Sequence, residues 1–261
     1  MGRPPAGTVS SDDLLDVAVA AARASAAVLL RYYEQGVREV EAKSTPTDLV
    51  SEADLEAERA IREVLAARRP DDAILGEEGD DLPGTSGLRW VVDPLDGTIN
   101  YLFAIPQWCV SVACEGQVGV ILDPLRDELF TVRVGERALL DGQPLRGSQR
   151  DDLATAMVST GFGYDTNVRA AQAAVVARLL PQVRDIRRLG SAALDLAWLA
   201  AGRYDAYYEY GLNAWDWAAG EMLCNAAGLE TRHLAPLPGT GAGLLVAAPG
   251  IVDGLEAIVT G

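Results

Sequence analysis

The chain has 261 residues, 49% of them hydrophobic and 23% charged, with a formal net charge of −16 at pH 7. That balance supports a sizeable core and excludes broad disorder, while so acidic a surface opposes non-specific binding to nucleic acid or anionic membrane, which needs clustered Lys and Arg. Residues 1–10 lack the apolar core of a signal peptide, and the Ala-rich stretch 17–30 carries Arg23 and is too short to span a bilayer, so the expectation is a cytoplasmic protein with reduced thiols.

In chain order, Leu14, Val17, Ala21, Val28, Leu29 and Tyr32 recur at helical spacing and predict a long amphipathic helix over 12–34. A polar loop containing Lys43-Ser44-Thr45-Pro46-Thr47-Asp48 leads to a second helix, begun by Ser51 with Asp54 three positions on and running to about Arg69. The loop Gly76-Glu77-Glu78-Gly79-Asp80-Asp81 follows, then an apolar strand over 88–92. Strands at 108–114, 117–122 and 128–134, separated by Gly116 and Asp123-Pro124, predict an antiparallel meander, with another turn at Asp141-Gly142. From residue 151 the rhythm becomes α/β: strands over 156–160 and 185–189, helices over 168–180 and 191–201, an aromatic strand over 204–210, a helix over 215–227, a short strand over 244–248 and a terminal helix over 251–259. No internal repeat or linker is evident. The expectation is a single domain over 1–261, with halves of about 1–150 and 151–261 packed as layered sheets and helices.

The most informative segment is Asp93-Pro94-Leu95-Asp96-Gly97-Thr98-Ile99-Asn100-Tyr101, which sets two carboxylates three positions apart at the end of an apolar strand. Carboxylates suit a hard cation such as Mg²⁺, which takes oxygen ligands and shares them with substrate phosphate. The Gly97-Thr98 backbone, at the start of a predicted helix, offers N–H groups to an anion. Zinc is disfavoured, because the chain has one His, His233, and three Cys, Cys109, Cys114 and Cys224, none in a CxxC pair. A Ser-His-Asp or Cys-His mechanism would rest entirely on His233, which lies in a polar stretch.

Each acidic residue also has a plain structural reading. Asp93 and Asp96 flanking Pro94 can build a turn, Asp216 can cap a helix, Asp54 can complete a capping box with Ser51, and Glu77 and Glu78 can be surface charges. Glu209 alone reads as a solvent-facing residue and Lys43 as a solvated one.

Together the segments resemble the inositol monophosphatase family of Mg²⁺-dependent phosphatases over nearly the whole chain. The D-P-[IL]-D-G-T-x-N-[FY] element stands at Asp93 to Tyr101 and W-D-x-A-A-G at Trp215 to Gly220; G-E-E is Gly76-Glu77-Glu78, and K-S-x-P-x-D-x-V-[ST]-x-x-D runs from Lys43 to Asp54. Asp185-Ile186-Arg187-Arg188-Leu189-Gly190-Ser191-Ala192-Ala193 and Asp205-Ala206-Tyr207-Tyr208-Glu209 look like the inositol-1-phosphatase branch, SuhB-like in bacteria.

The resemblance implies an α+β fold, the five-layered αβαβα sandwich of the sugar phosphatases, and a homodimer. It implies two to three Mg²⁺ ions: Glu77, Asp93 and the Leu95 carbonyl at the first, Asp93, Asp96 and Asp216 at the second, with a looser third leaning on Glu77 and water. Glu77 and Thr98 would orient a water nucleophile, with Asp54 accepting from the Thr98 hydroxyl. The amides of Gly97 and Thr98 would hold the phosphate with Lys43 close by, and Asp96, Ser191, Ala192, Glu209 and Asp216 would contact the rest of the substrate. It favours myo-inositol 1-phosphate as substrate, leaves fructose 1,6-bisphosphate open, and raises lithium inhibition at the second metal position. Trp108 and Trp217 are expected to add bulk near the site and narrow it, and Asn213 departs from several relatives. A rival expectation from another class is a binding protein, since some bacterial relatives act in transcription complexes and an acidic surface suits a basic partner.

Overall fold

The computed structural model describes residues 10–35, 40–42 and 49–261. The side chains of 40–42 and 49–51 lie outside that description, and so do Lys43 and the rest of the polar loop over 43–48.

Along the chain run α1 (Ser11–Gln35), β1 (Val40–Ala42), β2 (Leu49–Ser51), α2 (Glu52–Arg68), β3 (Ala73–Gly76), β4 (Arg89–Asp96), α3 (Thr98–Leu102), β5 (Cys109–Cys114), β6 (Val118–Asp123), β7 (Glu128–Arg133), β8 (Leu139–Leu140) and β9 (Gln143–Pro144). The second half comprises β10 (Met157–Thr160), α4 (Thr166–Leu179), β11 (Asp185–Arg187), α5 (Ala192–Ala200), β12 (Ala206–Tyr210), α6 (Ala214–Ala226), β13 (Glu230–Leu234), β14 (Gly243–Ala247) and α7 (Val252–Thr260).

The elements stack in five layers. Helices α1 and α2 cover one face of a seven-stranded sheet ordered β3-β4-β5-β6-β7-β8-β9; α5 and α6 lie against its other face; a five-stranded sheet ordered β11-β10-β12-β14-β13 follows; and α4 and α7 close the far side. This is the αβαβα sandwich expected. The first sheet is antiparallel except for β3 beside β4, and the second pairs β10 in parallel with both β11 and β12. Of the described helices, none is long and apolar enough to cross a membrane.

Spacing explains the first core. Along α1, Leu14, Val17, Ala18, Ala21, Ala22 and Leu29 are buried, and along α2 Ala53, Ala57, Ile61 and Leu65 fall every fourth residue, so each helix turns one apolar stripe to the sheet. Trp90, Val92, Val110, Val112 and Val120 meet those stripes from β4, β5 and β6. Burial of a Leu or Ile side chain contributes about 1.5–3 kcal/mol. The second core runs through α5 and α6 to the smaller sheet, with Leu194, Leu196, Tyr207, Leu223 and Val246 inside it.

Two departures from expectation bear on the site. Strand β4 continues to Asp96, four residues past the predicted end, because its pairing with β5 shifts register between Asp93 and Asp96 and so absorbs Pro94. Residues 230–234, read as polar, form an edge strand whose buried end is Leu234. His233 is exposed there, its Nε2 3.0 Å from Glu221 Oε1.

Candidate active site

A cleft of about 570 Å³ opens where the two sheets meet across α5 and α6. Glu77, Asp93, Leu95, Asp96, Gly97, Thr98, Ser191, Ala192, Glu209 and Asp216 all line it. Asp54 stands behind that lining, fully buried, where it accepts a hydrogen bond from Thr98 Oγ1 at 3.1 Å.

The acids arrive on rigid elements. Asp93 and Asp96 sit at the bulged end of β4, and Asp93 Oδ1 accepts the Leu95 amide at 2.9 Å, so the turn-building reading and the clustering are both present. Gly97 then reverses the chain at φ 100°, a conformation that disfavours any Cβ, and a Cβ there would stand 2.9 Å from the Gln107 carbonyl. That reversal brings Thr98 back over Leu95, whose carbonyl is a second acceptor for the Thr98 hydroxyl at 3.1 Å.

Asp96 ties the halves together: its Oδ2 accepts from Ser191 Oγ at 2.7 Å and from the Ala193 amide at 2.6 Å. Asp216 belongs to the first turn of α6 without capping it. Asn213 is the N-cap, and Asp216 Oδ2 reaches back to its amide at 2.6 Å as the acidic member of a capping box.

One carboxylate oxygen from each of Asp93, Asp96 and Asp216 can be chosen so that the three lie within 4.8 Å of one another. Oδ2 of Asp93 and Oδ1 of Asp216 take no protein donor among the described residues. Burial raises the pKa of Asp93 well above the ordinary value, with Glu77, Asp96 and Asp216 adding repulsion. Asp216 is raised for the same two reasons, and Asp96 is raised by burial against its donors. Among the described residues the cleft is lined by a single basic side chain, Arg188. Converging carboxylates with oxygen-only donors and so little basic charge fit a hard divalent cation on chemical grounds.

Across the cleft, Glu209 accepts from Tyr207 Oη at 2.7 Å, and burial moves its pKa up to about 7 against that hydrogen bond and Arg188. Beside it is an acid the sequence reading missed. Asp195 is 1% exposed, accepts from Ser159 Oγ at 2.8 Å, and has a second oxygen without a partner in the structure. The available signal was one Asp inside the apolar helix Ala-Ala-Leu-Asp-Leu-Ala-Trp-Leu-Ala. Trp215 also lines the cleft, whereas Trp108 and Trp217 do not. Trp108 is buried against Tyr33 and Tyr101 in the first core, and Trp217 packs on His233, so neither narrows the cleft as expected.

A layered α+β fold with an acidic cleft between its sheets defines the general class. The model of the inositol monophosphatase family matches residues 10–253, and the chain belongs to that family, whose members are metal-dependent phosphatases. Inositol-1-monophosphatase SuhB of Mycobacterium tuberculosis is 44% identical over 233 residues, 84% of this chain and 80% of that protein. Nus factor SuhB of Escherichia coli is 39% identical over 221 residues, 82% of this chain and 83% of that one. Among solved structures, the extragenic suppressor protein SuhB of Bartonella henselae superposes with a TM-score of 0.85 at 34% identity, covering 94% of this chain and 98% of its own.

Proposed function

We propose that the protein is a Mg²⁺-dependent phosphate monoester hydrolase whose preferred substrate is a phosphorylated cyclic polyol of the myo-inositol 1-phosphate kind. The observation that carries this reading is the cluster of buried Asp93 and Asp96 with half-buried Asp216, which keeps free oxygens in a cleft where Arg188 is the one basic side chain among the described residues. Glu77, Asp93, the Leu95 carbonyl, Asp96 and Asp216 are the residues that would hold two to three ions. When bound, Mg²⁺ supplies charge neutralisation at the phosphate and lowers the pKa of a water.

The chain's own part follows from its hydrogen bonds. Thr98 gives its only hydroxyl proton to Asp54 or to the Leu95 carbonyl. Its oxygen lone pairs are then available to a water proton, which aims the water's own lone pair at phosphorus, with Glu77 as a second acceptor. The amides of Gly97 and Thr98, which line the cleft at the start of α3, are the donors for phosphate oxygens. Glu209, held by Tyr207, accepts hydrogen bonds from ring hydroxyls, while Ser191 and Ala192 face the same space. No step requires a protein nucleophile. Sequence resemblance also supports a cytoplasmic homodimer.

The test is phosphate release with Mg²⁺ and with EDTA across myo-inositol 1-phosphate, fructose 1,6-bisphosphate, histidinol phosphate, 3′-phosphoadenosine 5′-phosphate and NADP. Metal-dependent turnover fastest on the inositol ester supports both parts of the proposal. Preference for another ester, fructose 1,6-bisphosphate first among them, keeps the hydrolase and moves the substrate. Absence of turnover on all five favours the second reading, a partner-binding role of the kind named for the Escherichia coli relative.

A further inference from the structure

Helix α2 presents two buried carboxylates one turn apart, Asp54 at 0% and Glu58 at 2% exposure, on the same face as its apolar stripe. Asp54 takes the Thr98 hydroxyl. Glu58 has no part in the chemistry so far described, yet it is built into the loop that carries Glu77. Its Oε2 accepts the Glu78 amide at 2.7 Å and its Oε1 pairs with Arg62 Nε at 2.6 Å.

The loop backbone is wrapped closely on that carboxylate. A Cβ at Gly76 would stand 2.6 Å from Glu58 Oε1 and one at Gly79 2.5 Å from the same atom, with Arg62 Nη2 2.7 Å away, so a side chain at either position would displace the Glu58–Arg62 pair from where it stands. Burying a carboxylate is costly unless it is paired and hydrogen-bonded. Here Arg62 offsets its charge, so the anchor adds no net negative charge beside an already crowded acidic cleft. Glu77 lies between the two glycines, directly after the end of β3, where Gly76 is paired with Val92 just ahead of Asp93.

We infer that Glu58 is a positioning residue for cation binding: by accepting the Glu78 amide and pairing with Arg62 it fixes the 76–79 loop and holds Glu77 at the cleft beside Asp93. This rests on the proposal that Glu77 is a cation ligand, and it deepens that proposal by naming what holds the ligand. Glu58 touches neither substrate nor cation, and acts through Glu77.

The test measures Mg²⁺ binding to the full chain by isothermal titration calorimetry, alongside the Mg²⁺ concentration for half-maximal turnover. The variants are Glu58→Leu, Glu58→Gln, Glu77→Gln and the double variant Glu58→Gln with Glu77→Gln. Loss of the acceptor in Glu58→Leu is expected to weaken Mg²⁺ binding about 10–100-fold, the range for partners that orient metal ligands. Glu58→Gln keeps an acceptor for the amide but loses the charge opposite Arg62, and a smaller loss is expected, with turnover recovering at saturating Mg²⁺. Should the Leu variant not fold, the Gln variant and its cycle carry the test. In the Glu77→Gln background the Glu58→Gln effect on binding should vanish, because positioning through Glu77 makes the two changes non-additive. Unchanged Mg²⁺ affinity in the folded Glu58 variants, or full additivity in the cycle, would overturn the inference. If Glu77→Gln itself binds Mg²⁺ like the wild type, the ligand role of Glu77 fails instead, and the two failures are told apart.

Discussion

The two sheets serve the cleft in different ways. From the end of β4 in the seven-stranded sheet and the start of α3 come Asp93, Leu95, Asp96 and Thr98, all within one short segment, with α2 bracing it from behind through Asp54. The five-stranded half contributes Ser191 and Ala192 from the start of α5, Glu209 from β12 and Asp216 from α6, residues that meet only because the layers pack. One wall is therefore set by local backbone geometry and the other by tertiary packing. The seam between them is Asp96, which takes donors from Ser191 and Ala193 across the boundary. Under the proposed function the local wall would carry the chemistry and the packed wall would select the alcohol, with Asp216 the packed wall's one contribution to the cation site.

The sharpest way to break that division is at the seam and across it. Asp96→Asn and Asp216→Asn are each expected to lower turnover by about 10³-fold or more on every ester while leaving the far-UV circular dichroism intact. Near-normal rates in both would remove the cation site from the cleft. Next in size is Thr98→Ala, which takes away the acceptor for the water proton and should cost about 10²-fold in kcat with little change in KM. A loss confined to KM would assign Thr98 to binding instead. Glu209→Ala tests the packed wall: about 10-fold is expected on inositol 1-phosphate and much less on an aryl phosphate that lacks neighbouring hydroxyls. Equal losses on the two esters would take Glu209 out of substrate selection.

The same division explains what could be read in the sequence. Packing as layered sheets and helices was legible from the helical stripes of α1 and α2, the meander from β5 to β7 and the alternation after residue 151, whereas the five-layered sandwich itself came from the family resemblance. Strand β13 was not, because an edge strand facing water needs no apolar alternation, and Glu230, Thr231, Arg232 and His233 spell a loop until Leu234 is placed. The end of β4 was misjudged for a related reason: Pro94 and two Asp read as breakers, while the register shift that accommodates them is a property of the pairing with β5. Around the cleft, Asp93 to Thr98 could be gathered from spacing alone. The packed wall could not, since Ser191, Glu209 and Asp216 are brought together by the sheets, and they were reachable only through family resemblance. Trp108 shows the converse error. It lies seven residues past the motif, just ahead of β5, but its ring packs into the first core with Tyr33 and Tyr101.

Asp195 offers the smallest and most discriminating test, since it belongs to the packed wall, is no proposed ligand, and was hidden from the sequence by a partner 36 positions away. Burial raises its pKa well above 3.8, with Glu209 and Asp96 adding repulsion and Ser159 opposing. The folded state thus holds a proton that the unfolded chain releases. Stability is unaffected below the unfolded pKa, and falls as pH rises from there through the folded pKa, because the native state binds more protons over that window. Asp195→Asn keeps an acceptor for Ser159 and removes the titration. In EDTA the variant should therefore melt higher than the wild type at pH 8, by about 2–4 °C for each kcal/mol relieved, and the difference should close near pH 4. A difference of the same size at both pH values would show that the carboxyl does not titrate between them in the folded protein, and that the packed wall tolerates its acids by some means other than keeping one neutral.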